Sequence, residues 1–403
     1  MSWLDEVLAQ HEELESPKSF WYWSGLSVIS AIVKDRVWLV EGAAWKCYPN
    51  IYVILYADSG VGKGPPIALA HKLVANVNNT KIISGRSSIQ GILTKLQRNE
   101  SRPGGSISKT CSGFIVASEF SSALVKDPAA MDILTDLFDR KWRAGDWESL
   151  LKQEQFKLND PVISLLAGIN NAHFDVLLDN KDVFGGFIGR CFIINESQGE
   201  KLNPLIDDLK HPPDTDYLSE YLKKLTVLRG PFKTLQGTDA GELYKEWYNK
   251  FYTDVREQKV DDRTGTIRRT RDSIKKVAML LSLAESPDMV ITVPHMEEAI
   301  VVCEKLIGAV RQTTNHKHGL SQNAQHKALV VNELMTREPH QISREMLMKK
   351  YYMHFNASEL DDVMQAFHQS GMIIAEQVGD KLVYKMPQKE VDEMRRFLEG
   401  KNK

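Results

Sequence analysis

Residues 50–66 read NIYVILYADSGVGKGPP, and this stretch decides the fold. Its first eight residues form an apolar run of the kind that makes a strand buried on both faces. Gly60 and Gly62 then permit a tight turn. The proline pair at 65–66 suits the first turn of a helix, where a missing N–H costs nothing. The stretch therefore predicts a strand, a turn and a helix that runs to about Val77.

The turn in this stretch has the features of a phosphate-binding loop. Such a loop needs a buried strand, backbone N–H groups that converge on an anion, a lysine for the outer phosphates and a helix N-terminus. Gly64 stands where a hydroxyl that binds Mg²⁺ is usual, and a water can replace that ligand because Mg²⁺ keeps several waters. We predict a nucleotide site formed by Ser59, Gly60, Val61, Gly62, Lys63 and Gly64.

Outward from the loop, short apolar runs alternate with helical patterns. This alternation predicts an α/β fold, a parallel sheet with helices on both faces. The alternating segment from Trp147 to Pro161 is interpreted as a hairpin or a β extension rather than a helix. The predicted strands are TKIISG (80–85), SGFIVAS (112–118) and DPVISLLAGI (160–169), and the predicted helices are SSIQGILTKLQR (87–98) and MDILTDLFDRK (131–141).

Polar residues follow these strands at the edge where the phosphate loop lies, because the carboxyl ends of parallel strands meet there. Glu119 would orient or deprotonate a water, and Ser118 stands in the place of a metal-associated aspartate. Asn170 or Asn171 would hold the γ-phosphate or that water. Arg190 is costly to bury without an anion, so either it pairs with an acid of its own subunit or it reaches a neighbour's nucleotide.

The composition is that of an ordinary globular protein. The chain has 403 residues, enough for two or three domains, and a net charge of −2, so any DNA contact must come from local basic segments. Its four cysteines lie far apart and suggest neither a disulfide framework nor a zinc site. Since no apolar run reaches the roughly 18 residues of a membrane span, we expect a cytoplasmic protein with no membrane contact.

The pattern divides the chain into five segments. After residue 200 it is mostly helical, and the C-terminal part gives three helices followed by two strands around the Gly379-Asp380 turn. We predict a helical N-terminal segment (1–45), a phosphate-loop ATPase core (46–200), a helical lid (201–315), a winged-helix domain (322–388) and a tail helix (389–403).

An ordered set of motifs gives the chain a family resemblance. It resembles the phage- and plasmid-type AAA+ ATPases of the primase-helicase group, relatives of the minichromosome maintenance helicases. The likeness covers about residues 15–285 and fades in the last motif. The motifs are ESPKSFWYWSGLSVIS (15–30), YPNIYVILYADSGVGK (48–63), IVASEFSSAL (115–124), LTDLFDRKW (134–142), ISLLAGINNAHFDVL (163–177), GGFIGRCFIINE (185–196) and TRDSIKKVAMLLSLAE (270–285).

The resemblance implies a homo-oligomeric ring, with six subunits expected, that binds ATP and Mg²⁺ between subunits and single-stranded DNA in a central channel. Lys63 then resembles the phosphate lysine, Glu119 the catalytic acid and Asn170 the polar sensor. Arg190 resembles a finger that acts on the neighbouring subunit, and Arg269 a sensor on the lid helix, with Arg268 and Arg271 as alternatives. Gly64 and Ser118 depart from the family pattern at the metal.

Basic residues near the expected channel are the DNA candidates. The strongest set is Arg102 and Lys109 in SRPGGSISKT and Lys141 and Arg143 before the hairpin, although a solvated surface also accounts for such clusters. The third helix of the C-terminal segment exposes Glu359, Asp361 and Asp362, which repel phosphate. This favours contact with replication proteins there. The lysines that would instead favour DNA are Lys349, Lys350, Lys381 and Lys385.

Three functions are therefore open. The first is an ATP-dependent DNA helicase or translocase in the replication of a phage or mobile element. The second is a nucleotide-dependent structural, loader or initiator protein with slow or no hydrolysis, because Gly64 and Ser118 replace the two side chains that usually associate with the metal. The third is a monomeric ATPase switch in which Arg190 serves only its own fold.

Overall fold

The computed structural model shows two compact units, residues 1–312 and 313–403. No helix among the described residues is long and apolar enough to cross a membrane. The structure describes residues 1–42, 45–85, 87–98, 100–101, 107–108, 111–120, 124, 127–139, 146–150, 155–179, 186–199, 201, 214–257, 262, 264–319, 322–351, 357–379 and 381–392.

The described elements before residue 50 are two helices and two strands, and from there to residue 200 strands and helices alternate as the sequence predicts. In chain order they are α1 (Trp3–Gln10), α2 (Lys18–Val33), β1 (Val37–Glu41), β2 (Trp45–Cys47), β3 (Tyr52–Tyr56), α3 (Gly64–Val77), β4 (Lys81–Ser84), α4 (Ile89–Gln97), β5 (Glu100–Ser101), β6 (Ile107–Ser108), β7 (Gly113–Ala117), α5 (Pro128–Phe138), β8 (Trp147–Leu150), β9 (Gln155–Leu158), β10 (Ile163–Ile169), α6 (Asn171–Asp179), a 3₁₀ turn (Ile188–Arg190) and β11 (Cys191–Asn195).

The later elements are mostly helical. They are α7 (Thr215–Leu225), β12 (Gly230–Pro231), α8 (Asp239–Glu257), α9 (Thr266–Glu285), α10 (Val293–Gly319), α11 (Gln322–Thr336), β13 (Gln341–Ser343), α12 (Arg344–Tyr351), α13 (Ala357–Gln369), β14 (Ile374–Val378) and β15 (Lys381–Lys385).

The central sheet has five parallel strands in the order β11-β3-β10-β7-β4. The strand register pairs Tyr56 with Ile169 and Ala167 with Ala117. The ends of β3, β10 and β7 therefore lie side by side. The phosphate loop, Asn170 and Glu119, which follow these strands, meet at one edge of the sheet. We call this the carboxyl edge, and the opposite one the amino edge. The predicted α/β class and parallel sheet are confirmed.

Helices cover both faces of the sheet because its strands are apolar on both. In β3, Val53 and Leu55 enter one core with α2, α3 and α9. Tyr52 and Ile54 enter a second core with α4, α5 and α6. This division follows from the two-residue period of a strand. The predicted helices on both faces are confirmed.

We predicted a helical N-terminal segment as far as residue 45, and this prediction is wrong beyond Val33. Helix α2 ends at Val33, and β1 pairs antiparallel with β2 and parallel with β12. In β1, Val37 and Leu39 are buried whereas Val40 is exposed. This short period-two pattern of β-branched and apolar residues favours a strand. The helices α1 and α2 themselves share a hydrophobic core with β3 and α9.

The segment from Trp147 to Pro161 is a hairpin, as predicted. Strands β8 and β9 pair antiparallel, with Trp147 opposite Leu158, and residues 151–154 lie outside the described residues. Trp147, Phe156 and Leu158 are buried in the core with α4, α5 and α6. The hairpin is therefore anchored to the first unit by its apolar side.

The C-terminal unit combines helices with a small antiparallel sheet of order β13-β15-β14. Its separate core is built from α11, α12, α13 and the strands. Of the predicted tail helix, residues 388–392 are helical and Val391 is buried, while 393–403 lie outside the described residues.

A buried carboxylate joins two helices of this unit. The Glu333 side chain is 4 % exposed and accepts hydrogen bonds from Arg337 Nε (2.9 Å), Lys350 Nζ (2.5 Å) and Tyr351 Oη (2.9 Å). Burial alone would raise the pKa of Glu333, but the three donors outweigh it and leave that pKa below its ordinary value.

Glu333→Gln is expected to destabilise the C-terminal unit by about 1–3 kcal/mol at neutral pH, because the charged donors lose the negative charge and one of the two acceptor oxygens that they bind. A lowered folded pKa contributes stability above the ordinary glutamate pKa of about 4.3, which is lost as the pH falls through the folded pKa. In the full chain, hydrogen exchange at Leu334 and Leu360 should show this acid-induced loss of protection for the native protein and much less of it for the variant. Glu345→Gln, at an exposed carboxylate that binds Lys349, is the control. Equal acid sensitivity of native protein and Glu333→Gln would contradict this account.

Candidate nucleotide-binding site

The predicted phosphate loop connects β3 to α3. Gly60 (φ +93°) and Gly62 (φ +82°) adopt the left-handed backbone that only glycine enters at low cost. Helix α3 begins at Gly64, and no described side chain caps its N-terminus. Ser59 and Gly60 are exposed, and Val61 and Gly62 half-buried. An uncapped helix start behind a glycine turn is suited to bind an anion.

Lys63 lies inside this loop with 8 % of its surface exposed. Its Nζ donates to the backbone oxygens of Ala57 (2.7 Å) and Asp58 (2.8 Å). Burial lowers the pKa of Lys63, an effect that the nearby carboxylates of Glu119 and Asp58 partly offset. The ammonium group is therefore held at the loop, within electrostatic range of the predicted catalytic acid.

The N-terminal segment lies directly against the loop. A Cβ at Gly62 would fall 2.8 Å from Ser16 Oγ and 3.1 Å from Ser16 Cα. Ser19 Oγ donates to Glu196 Oε1 (2.6 Å), and the Glu196 backbone N–H donates to Tyr56 O (3.1 Å). A cavity of about 310 Å³ is lined by Ser16, Lys18 and Trp21, among others. Sequence reasoning missed this contact, for which only the Ser-Pro step between α1 and α2 gave a signal.

Glu119 follows β7 at the carboxyl edge, and its side chain is 58 % exposed. The chain at Ser118 approaches β10 closely, since a Cβ at Gly168 would clash with Ser118 O. The Phe120 backbone N–H also donates to Gly168 O (2.6 Å). Gly168 therefore lets the acid-bearing segment pack against the neighbouring strand.

Asn170 caps the next helix at the same edge. Its Oδ1 accepts from the His173 backbone N–H (2.9 Å) at the start of α6. Asn171 Nδ2 donates to Asp58 Oδ1 in the phosphate loop. The Phe174 ring packs on Tyr56 at the end of β3, with ring centroids 4.5 Å apart. The first turn of α6 is thus fixed to the phosphate loop.

The remaining predicted arginine, Arg190, lies at the amino edge. It precedes β11, which runs parallel to β3 with Cys191 opposite Tyr52. The span from Tyr52 to Tyr56 alone is about 13 Å. Arg190 Nε donates to Asp139 Oδ2 (2.9 Å) and Nη1 to Gly186 O (2.6 Å), and the side chain is 11 % exposed. Arg190 therefore pairs with an acid of its own chain and does not reach its own phosphate loop.

Arg269 also lies at the amino edge, away from the phosphate loop of its own chain. A Cβ at Gly189 would fall 2.8 Å from Arg269 Nη1 and would clash with Thr264 O. Burial lowers the pKa of Arg269, and the positive charge of Arg190 lowers it further. The reason is packing: glycine at 189 lets the start of α9 approach the turn before β11. Of the alternatives, Arg268 is exposed, and Arg271 lines a separate cavity of about 770 Å³.

The predicted DNA residues cannot be placed in the same way. Arg102, Lys109, Lys141 and Arg143 lie outside the described residues. The short strands β5 and β6 adjoin Arg102 and Lys109 and pair antiparallel. In the nearby hairpin, Lys157 Nζ binds Glu148 (2.8 Å) and Asp146 (3.3 Å), so acids neutralise this basic residue.

Oxygen donors of the kind that Mg²⁺ prefers are available near the loop. They are the exposed Ser118 hydroxyl and the carboxylates of Glu119 and Asp58. The described residues contain no group of three or more His, Cys, Asp or Glu that could hold a metal by itself. This donor set fits a Mg²⁺ ion held largely by phosphate oxygens and water.

No protein-family model matches the chain, and no curated protein matches it in sequence.

Proposed function

We propose that this protein is an ATPase of the AAA+ type that acts as a homo-oligomeric ring, expected to be hexameric, and translocates on or unwinds DNA, as in replication of a phage or mobile element. The observation that carries the proposal is the meeting of Lys63, Glu119 and Asn170 at one edge of a parallel sheet. Burial lowers the pKa of Lys63, and Lys63 lies close enough to Glu119 for this carboxylate to offset part of that effect. Asn170 is one helix turn from His173, whose side chain faces Glu119.

In this proposal the triphosphate lies on the backbone N–H groups of residues 60–64. Lys63 exchanges its two carbonyl partners for phosphate oxygens, which gives stronger charge-assisted bonds. Water attacks the γ-phosphorus, the bond to the ADP oxygen breaks, and Glu119 accepts the water proton. The Asn170 amide holds the γ-phosphate. A bound Mg²⁺, associated with Ser118 through water, would neutralise the charge on the phosphates.

A ring is proposed because one chain holds only part of the site. Arg190 and Arg269 neighbour each other at the amino edge, whereas the phosphate loop lies at the carboxyl edge. A head-to-tail contact brings opposite edges of successive subunits together and closes into a ring. Both arginines would then face the nucleotide of the next subunit, with Arg190 as the finger and Arg269 as the sensor.

The later helices of the first unit would form the lid, and the C-terminal unit a winged-helix domain that contacts replication proteins. In this unit Arg344 makes a two-pronged ion pair with Asp361 (2.7 and 2.8 Å). Lys350 binds Glu333, while Lys349 and Lys381 both lie near Glu345. Three of the four lysines that favoured DNA therefore have acidic partners, which supports a protein partner.

A loader or structural role is the alternative, favoured by Gly64 in place of a hydroxyl and by Ser118 in place of an acid. It predicts an ATPase rate that single-stranded DNA does not change and that does not depend on Glu119. The motor proposal predicts a rate stimulated by single-stranded DNA. Steady-state phosphate release with and without an oligonucleotide separates the two roles.

Lys63→Met is expected to weaken Mg-ATP binding by about 10- to 100-fold, because it removes charge-assisted bonds to phosphate while keeping the apolar stem. Isothermal titration calorimetry of the full chain measures this change. Lys72→Met, at an exposed position of α3, is the matched control and should bind like the native protein. Unchanged affinity in Lys63→Met, or no ATP uptake by the native protein, would overturn the nucleotide site.

A further inference from the structure

His173 is a titratable side chain at the site that the proposed mechanism does not use. It lies in the first turn of α6, and its Nδ1 is buried without a hydrogen-bond partner in the described structure. The same atom is 3.9 Å from Glu119 Oε2. Buried polar atoms are almost always paired, so an unpaired one at a candidate site calls for an explanation.

The distance of 3.9 Å is too long for a hydrogen bond, but a shift of about 1 Å would make one. Glu119 has room to move, since its side chain is 58 % exposed. In the tautomer with a proton on Nδ1, the imidazole would donate to the carboxylate. A small movement of Glu119 would therefore form a charge-assisted hydrogen bond from His173 Nδ1 to its carboxylate.

The backbone of His173 is tied to the groups that would contact the γ-phosphate. Its N–H donates to Asn170 Oδ1 (2.9 Å). The adjacent Asn171 binds Asp58 in the phosphate loop. A change at Asn170 or at the loop therefore displaces the turn that carries the imidazole.

The charges around Glu119 change when a triphosphate binds. In the present structure Lys63 lies within electrostatic range of Glu119. When the ammonium group turns to phosphate oxygens, Glu119 loses part of that attraction. The nearest hydrogen-bond donor described for its carboxylate is then His173 Nδ1.

We propose that His173 is a positioning residue that donates from Nδ1 to Glu119 once Asn170 engages the γ-phosphate, and so turns the carboxylate toward the attacking water. This inference rests on the proposed nucleotide site. It makes the catalytic carboxylate respond to the third phosphate, because ADP lacks the γ-phosphate that Asn170 would hold.

Three variants identify the nitrogen that acts. Asn places a donor near the position of Nδ1, Gln places one near Nε2, and Phe keeps the ring without either nitrogen. His173→Phe and His173→Gln are expected to lower kcat by about 10- to 100-fold with the Kd for ATP unchanged. His173→Asn should retain most of the activity. His368→Phe, at an exposed position of the C-terminal unit, is the control.

A double variant tests whether His173 acts through Glu119. Since coupled residues are not additive, His173→Phe should cause no further loss in a Glu119→Gln background. The inference is overturned if His173→Phe turns over like the native protein, if His173→Asn fails as His173→Phe does, or if the two losses add. In each of these cases the nucleotide site stands.

A spectroscopic measurement applies even if hydrolysis is slow. In ¹⁵N-histidine-labelled full chain with Mg²⁺, a non-hydrolysable ATP analogue should move the His173 Nδ1 resonance to that of a protonated, hydrogen-bonded nitrogen. ADP should not, and Glu119→Gln should weaken the change. An unchanged resonance with bound analogue overturns the inference alone, whereas a chain that binds no analogue overturns the proposed function with it.

Discussion

Arg190→Ala is expected to lower ATP turnover by about 10³- to 10⁵-fold while Mg-ATP still binds, as loss of an arginine finger does. The reason is placement: Arg190 lies at the amino edge, at least the length of β3 away from its own phosphate loop. It can stabilise transition-state charge only on a neighbouring subunit. Single-turnover hydrolysis measures the chemical step, and calorimetry measures ATP binding.

The same arginine also serves its own fold, so stability has to be measured beside turnover. Arg190 is 11 % exposed and Asp139 33 %, and Arg190→Ala leaves this carboxylate without its donor. We expect a loss of about 1–3 kcal/mol in the free energy of unfolding. Asp139→Asn should show a similar loss but keep turnover, because the guanidinium group remains. If Arg190→Ala, kept below its melting temperature, hydrolyses ATP normally, the finger role is wrong and the monomeric switch gains support.

The sheet could be predicted from the sequence because each central strand is an apolar run bounded by turn residues. Strand β7, for example, lies within the predicted segment 112–118. The strand at Val37–Glu41 was missed because it is short and follows directly on a long apolar helix, which continued the helical pattern. Its partners Trp45–Cys47 and Gly230–Pro231 are held by tertiary contact rather than by a strong local signal.

The candidate site could be predicted only where chemistry and strand end coincide. Lys63, Glu119 and Asn170 each follow a recognisable strand, so their shared edge followed from parallel topology. The edge that Arg269 occupies depends on how α9 packs against Gly189, which no local pattern specifies. The roles of His173, Ser16 and Asp58 were missed because each makes its contact with a residue that is distant in the sequence. These partners are Glu119, Gly62 and Asn171.

Glu119→Gln is expected to lower turnover by about 10²- to 10⁴-fold, the usual contribution of a general base. The amide has the size of the carboxylate but does not accept the water proton. Binding of Mg-ATP should remain within a few-fold of the native affinity, because Lys63 and the loop are intact. Phosphate release and calorimetry test both statements. Glu220→Gln, at an exposed carboxylate of α7, is the control, and a Glu119→Gln protein that still turns over would favour the loader role.

Mixing the two inactive variants tests the shared site more sharply than either does alone. A subunit with Arg190→Ala supplies an intact Glu119, and its neighbour with Glu119→Gln supplies an intact Arg190. In randomly mixed rings with head-to-tail contacts, about a quarter of interfaces combine the two intact residues. We therefore expect activity to reappear when equal amounts are mixed under conditions that exchange subunits. Mixing Glu119→Gln with a Glu119→Gln, Arg190→Ala double variant leaves no complete interface and should remain inactive. If the first mixture also stays inactive although subunits exchange, Arg190 does not complete a neighbour's site, and its pairing with Asp139 is its whole role.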